Sequence, residues 1–240
     1  MTNKIKNEIF LPGSVYQFLM FARKCEIKDK AVLVVGAGSE EISKFFLKYE
    51  AGSVIQIVED EETLLSSRLY LKEEKSISVR MMDFDNTDFG GDKFDIVYAQ
   101  ASISNTRRNK IAKEINRILK PGGIFCVGEI AQLEKNAPIF VKELWDASNV
   151  SPLLAIELNG YYKNKGFEII YEDDLSSTLK DFYITSQQML IKNIEKLSER
   201  EKSFHKKFLK KIKHESNAYL KLGADRYMGF KNLIMKKASV

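Results

Sequence analysis

The 240-residue sequence is poor in the residues that build metal and disulfide sites, with two cysteines and two histidines. Cys25 and Cys126 make no disulfide framework. Cys126 lies in the apolar run Ile124-Phe125-Cys126-Val127, where a buried free thiol is expected. No Cys/His grouping has ligand spacing, so no metal is expected, and no Gly-x-x-x-x-Gly-Lys loop is present. His205 and His214 sit in a basic stretch and read as surface residues. Four prolines and no low-complexity tract or repeat argue against linkers and solenoids. No apolar run is long enough to span a bilayer, and the first residues lack a leader pattern, so a cytoplasmic chain is expected.

Charge is present but unevenly placed. Residues 186–240 hold 14 Lys and Arg against 5 Asp and Glu, and the remainder holds 24 against 28. A basic tail of this kind reads first as the solvated face of a long helix. No interleaved aromatics suggest a nucleic-acid platform, and the acidic balance of the first part disfavours one.

The apolar residues have two periods. Val15, Phe18, Leu19 and Ala22 recur at helical spacing after Pro12-Gly13-Ser14, with Leu11 and Pro12 placed to lie across a site. From residue 31, short apolar strands alternate with amphipathic helices. Strands are expected at Ala31–Val35, Val54–Val58, Ile77–Met82, Phe94–Ala99 and Gly123–Ile130. Helices are expected at Glu40–Tyr49, around Leu64–Leu71 and around Ile111–Leu119. Strands apolar on both faces and spaced by helices indicate a parallel sheet covered on each side. Beyond residue 131, helices are expected at Phe140–Asp146 and Leu153–Asn164, and a strand at Phe167–Tyr171. A long helical stretch over 175–221, broken near Glu201, precedes a closing strand at Phe230–Met235.

The first strand runs into Val35-Gly36-Ala37-Gly38-Ser39 and then a helix, a turn that lets backbone approach a ligand beside unpaired helix N–H groups. The second ends in Val58-Glu59-Asp60, about twenty residues on, where nucleotide-binding α/β folds place an acid on ribose hydroxyls. Glu59 is the first choice, and Asp60 is either a second cofactor contact or a helix cap. Met82-Asp83-Phe84 ends the third strand, with a carboxylate and a ring suited to an adenine. Leu119-Lys120-Pro121-Gly122-Gly123 reads as a tight reversal from helix to strand.

This ordered set resembles the class I S-adenosylmethionine-dependent methyltransferases, over roughly residues 30–130, most strongly in Glu114–Gly123. The resemblance implies a Rossmann-like α/β fold: a seven-stranded, mostly parallel sheet with helices on both faces, the last strand antiparallel, and a helical cap inserted before it. The implied division is an N-terminal helical segment (1–30), a cofactor-binding core (31–174), a cap (175–222) and a final strand (223–240). It further implies S-adenosylmethionine held by Gly36, Ala37, Gly38, Glu59, Asp60, Asp83, Phe84, Tyr98 and Ala99. Tyr98 to Gln100 would form the floor under the sulfonium. The order Trp145, Gly166-Phe167, Asp174-Leu175-Ser176 and Phe182-Tyr183 is similar to that of small-molecule methyltransferases with a helical cap.

Two positions depart from the family pattern. Val34 stands where an acid usually faces the methionine amino group, and Glu40 where a third glycine is usual; Glu41 or Glu129 are the candidate substitutes for the acid. Methyl transfer from a sulfonium needs alignment and water exclusion, and a base only where the acceptor must shed a proton. Tyr98, Gln100, Glu129 and Tyr183 are the catalytic candidates, with Trp145, Phe182 and Tyr227 lining the acceptor side. The expected partner is a small, partly apolar acceptor; the oligomeric state is open. The alternative is a catalytically degenerate relative that binds the cofactor or serves as a scaffold. An NAD-dependent reductase is opposed by Glu41, where a dinucleotide fingerprint wants glycine.

Overall fold

The structure, a computed structural model, describes residues 9–194, 198 and 206–238. Eight strands form one sheet: β1 (Ala31–Val35), β2 (Ser53–Val58), β3 (Ile77–Met81), β4 (Phe94–Gln100), β5 (Leu119–Gln132), β6 (Leu153–Leu154), β7 (Phe167–Asp174) and β8 (Met228–Lys237). Their order is β3-β2-β1-β4-β5-β8-β7, with the two-residue β6 beside β5. Only β8 runs antiparallel, between β5 and β7. The helices are α1 (Ser14–Lys24), α2 (Glu40–Lys48), α3 (Glu61–Tyr70), α4 (Arg108–Ile118), α5 (Ile139–Ala147), α6 (Leu158–Lys163), α7 (Ser177–Ile194) and α8 (Lys206–Lys221).

β1 is apolar on both faces because both are covered. Val32 and Val34 pack with Phe18, Phe21 and Phe46 of α1 and α2, while Leu33 and Val35 pack with Ile111 and Ile115 of α4. A third apolar cluster, with Val141, Leu144, Trp145, Leu179, Tyr183, Tyr219 and Phe230, joins α5, α7 and α8 to β8. This is the Rossmann-like α/β arrangement that the alternation predicts.

Some local expectations are corrected. The stretch 153–164 is not one helix. Leu153–Leu154 pair with β5, Ala155–Glu157 form a single tight turn, and only then does α6 begin. Pro121-Gly122-Gly123 lies inside β5, where the pairing with β4 shifts register, rather than ahead of it. On α3, Leu65 and Leu69 are exposed, and Leu71 beyond its end is the buried leucine. Leu197, Glu201, Phe204 and His205 lie outside the described residues; His214 is exposed on α8. Cys126 is buried, as its apolar run predicts. Among the described residues no helix is long and apolar enough to cross a membrane, and no group of three His, Cys, Asp or Glu is placed to hold a metal.

Candidate functional site

The residues singled out for chemistry gather at the carboxyl ends of β1, β2, β3 and β4. Gly36 has φ +126°, and a Cβ there would lie 2.5 Å from the Cβ of Ser102, so the turn closes against the β4 end as only glycine permits. Ser102 Oγ donates to the Val35 carbonyl at 2.6 Å and ties the two strand ends together. Gly36→Ala is therefore expected to lower the thermal midpoint through both strain and collision, at a cost of about 1–3 kcal/mol. An unchanged midpoint would show that the turn relaxes freely.

Glu40, standing where a third glycine is usual, does not obstruct this turn. Its Oε1 accepts from Gln56 Nε2 at 3.1 Å and from Ser67 Oγ at 2.5 Å, and Gln56 Nε2 also donates to the Gly36 carbonyl at 3.3 Å. The carboxylate thus fastens the glycine turn to β2 and α3. Gln56 carried no signal in the sequence beyond being a polar residue within an apolar strand.

Glu59 is placed between β2 and β3. Its Oε1 accepts the Phe84 backbone N–H at 3.0 Å, and its Oε2 meets Arg107, which also reaches Asp85 at 3.0 Å. Asp83 is exposed beside this pair. For Asp60 the structure shows the helix-cap arrangement. Its two oxygens accept from Thr63 N at 2.8 Å and Thr63 Oγ1 at 2.7 Å, capping α3, and these bonds hold its pKa below the usual carboxylate value. Phe84 is corrected as a stacking ring: its side chain is buried in the core, so its backbone N–H, not its ring, faces Glu59.

The expected floor is also revised. Tyr98 points the other way, packed among Phe18, Phe21 and Phe46, with no exposed surface. Burial, and then the Cys126 thiol, push its hydroxyl far above the usual tyrosine value, so it is neither cofactor contact nor base. Gln100 is fully engaged: Oε1 accepts from Tyr98 at 2.8 Å, and Nε2 donates to the carbonyls of Pro12 at 2.8 Å and Ser14 at 2.9 Å. It pins the N-terminal segment over the sheet edge. The Ala99 side chain is buried and its carbonyl accepts from Gln17 at 3.1 Å. Past the end of β4, Ala101 lines a cavity.

Both candidate substitutes for the missing acid already have partners. Glu41 accepts from Lys44 and Tyr70, each at 2.8 Å. Glu129 has no exposed surface and is bound by Arg108 at 2.8 Å, Ser104 at 2.5 Å and the Tyr162 hydroxyl. It is a structural carboxylate, not an available base.

Beside Ala101 lies a cavity of about 230 Å³. Leu11 and Pro12, then Ile130 and Met228 of the sheet, Trp145 of α5, and Phe182 and Tyr183 of α7 line it. Its polar lining comes from Glu215 of α8 and Ser148, whose hydroxyl meets Glu215. Leu11 is a shared wall: it lines this cavity, and a Cβ on Gly38 would sit 3.3 Å from its Cδ2. Tyr183 lines this cavity, stacked on Tyr219 with centroids 4.5 Å apart. Tyr227 packs on the third cluster without lining the cavity.

Residues 33–127 match the family described as methyltransferase domain. This stretch of the chain is similar to a methyltransferase domain. Sterol 24-C-methyltransferase of Aspergillus fumigatus is 27% identical over 157 residues, 60% of this chain and 41% of that protein. The chain spans less than half the length of the curated relatives it matches. Among solved structures, phosphoethanolamine N-methyltransferase 2 of Haemonchus contortus, in complex with phosphomonomethylethanolamine and S-adenosylhomocysteine, superposes with a TM-score of 0.77. It is 15% identical, covering 97% of this chain and 55% of that one. The 4+2 cyclase SpnF superposes with a TM-score of 0.74 at 17% identity, covering 93% and 81%. These two likenesses extend a shared fold across nearly the whole chain, beyond the 95 residues of the family match.

Proposed function

We propose that this chain binds S-adenosylmethionine at the β1–β4 edge and transfers its methyl group to a small, partly apolar acceptor held in the cavity beside Ala101. The observation that carries this reading is Leu11, which touches both the glycine turn and the cavity, so one apolar side chain separates the two binding spaces. The residues fit the cofactor. Gly36 and Gly38, both at positive φ, shape a tight turn at the end of β1, Glu59 presents oxygens for ribose hydroxyls, and Asp83 an exposed carboxylate for the adenine amino group. Bound there, the sulfonium supplies an activated methyl group. The chain's own part is to align the acceptor and keep water out. Leu11, Pro12 and the faces of α7 and α8 serve the second task, and residues 175–222 act as the cap.

The cavity bears on the acceptor's size. An apolar cavity of about 150 Å³ holds one benzene ring. A space of about 230 Å³ accommodates a ring with a short side chain.

The first experiment is calorimetric titration with S-adenosylmethionine, S-adenosylhomocysteine and NAD. Saturable binding of the first two, with none of NAD, is the expected result; no binding of either would overturn the proposal. Asp83→Ala is expected to weaken S-adenosylmethionine binding roughly tenfold or more, the worth of one hydrogen bond to a charged group, with an unchanged thermal midpoint. Equal affinity would remove Asp83 from the adenine site.

A second reading, cofactor binding without methyl transfer, has one specific support. Val34 is buried in the core where the family places an acid, and Glu41 and Glu129 are both engaged elsewhere. Binding of S-adenosylmethionine without turnover across a panel of small acceptors would favour it.

A further inference from the structure

The chemistry of the cavity lining says more about its occupant than its size does. Of the described residues that line it, Glu215 is the only charged one. Trp145, Phe182 and Tyr183 contribute three aromatic side chains, and aliphatic residues supply most of the remainder. Aromatic rings grouped with a carboxylate, and no basic group among them, are the pattern by which proteins hold organic cations. The ring faces attract positive charge, and the carboxylate neutralises it. We propose that this cavity selects a compact organic cation, an amine carried on a single apolar ring or a body of similar size, with Glu215 as its charge partner.

The Glu215 carboxylate is held for this. The Ser148 hydroxyl donates to Oε1, and Lys211, one helical turn away, pairs with the same oxygen at 3.9 Å; with 41% of the Lys211 side chain exposed, solvent weakens that pair and leaves the carboxylate able to take a second cation. The Glu215 side chain itself is only 23% exposed. Tyr183 reports the same charge from inside. Burial, and after it the Glu215 carboxylate, push its hydroxyl well above the usual tyrosine value, so it stays neutral. An anionic acceptor would meet Glu215 across a low-dielectric space and be repelled. A neutral one could return a hydrogen bond to the carboxylate but no opposite charge to balance it. Only the claim that this cation is the methyl acceptor rests on the methyltransferase reading; the selectivity does not.

The test is calorimetric titration of the full chain near neutral pH, alone and saturated with S-adenosylhomocysteine. The probes are 2-phenylethylamine, its neutral counterpart 2-phenylethanol and the anion 3-phenylpropanoate. The amine is expected to bind roughly tenfold or more tighter than the alcohol, and the acid not at all. Glu215→Gln is expected to bring the amine to the alcohol's affinity without changing the alcohol or S-adenosylhomocysteine. Equal binding of amine and alcohol, preference for the acid, or saturation by none of the three would overturn the proposal. So would amine preference that survives Glu215→Gln in a variant with an unchanged thermal midpoint. Should that variant fail to fold, the three probes on the unaltered chain still decide. Amine selectivity without any S-adenosylhomocysteine binding would refute the methyltransferase reading and leave this one standing.

Discussion

Replacing Glu129 with alanine is expected to destabilise the fold by about 3–5 kcal/mol, the largest single-residue loss argued for this chain. Glu129 has no exposed surface, and the Arg108 side chain is 5% exposed. Their bond, 2.8 Å from Nε to Oε1, is closed off by the Tyr162 hydroxyl on the same oxygen and by Ser104 Oγ on the other. Ser104 in turn accepts the Ile130 N–H at 2.9 Å, and Arg108 donates to the Ser151 carbonyl at 2.7 Å. The network therefore joins α4, β5, α6 and the chain entering β6. Burial disfavours the Arg108 charge, yet the Glu129 carboxylate outweighs it and raises the guanidinium pKa. Removing the carboxylate leaves that cation buried with nothing to balance it. Most single domains have only about 5–15 kcal/mol in hand, so the midpoint of urea unfolding should fall steeply. The measurement also separates two roles. A catalytic base changed to Gln would lose turnover and keep its midpoint, whereas the structural carboxylate described here loses midpoint first. An unchanged midpoint in both variants would sink the structural reading.

What the sequence made legible was whatever local pattern determines. Apolar runs gave the strands, three-and-four spacing gave the helices, and the glycine turn announced itself because φ of +126° at Gly36 admits little else. Side-chain destinations were less accessible, for identifiable reasons. Tyr98 sits two residues from the end of β4, a position that by itself suggests the floor of the site. Strand parity sends it to the α1 face, in register with Val34 and in the same cluster. The alternation was present in the sequence; the cavity is reached only at Ala101, three residues on and past the end of the strand. Asp60 carried its cap signal in Thr63 three residues later. Glu129 and Arg108, by contrast, meet across 21 positions through a turn of chain that no local pattern specifies. Glu215 lay in the most basic stretch of the sequence, where a lone acid reads as solvated. Its role emerges only because Ser216, Ala218 and Tyr219 are buried and turn that helix inward against α5 and α7.

Glu59→Ala is expected to weaken S-adenosylmethionine binding by roughly ten- to a hundredfold, the equivalent of losing one hydrogen bond between a ribose hydroxyl and a charged acceptor at about 1.5–3 kcal/mol. The same change should cost little stability, because the Arg107–Glu59 pair is 38% and 27% exposed and such pairs contribute little. Arg107 does not preclude the role. An ionised carboxylate offers about four lone-pair sites. The Phe84 N–H takes one and Arg107 another, leaving capacity for two hydroxyls. Arg107 then acts as a brace that fixes the carboxylate's plane between the ends of β2 and β3, anchored itself on Asp85 at 3.0 Å. From this follows an ordering that calorimetry can read in three variants. Glu59→Ala should be weakest, Arg107→Ala intermediate because the acceptor remains but loses its orientation, and Asp60→Ala close to the unaltered chain because its oxygens cap α3. Were Asp60→Ala the weakest binder and Glu59→Ala unaffected, the ribose would have to be moved one residue along the chain. The cap of α3 would then be incidental to its position.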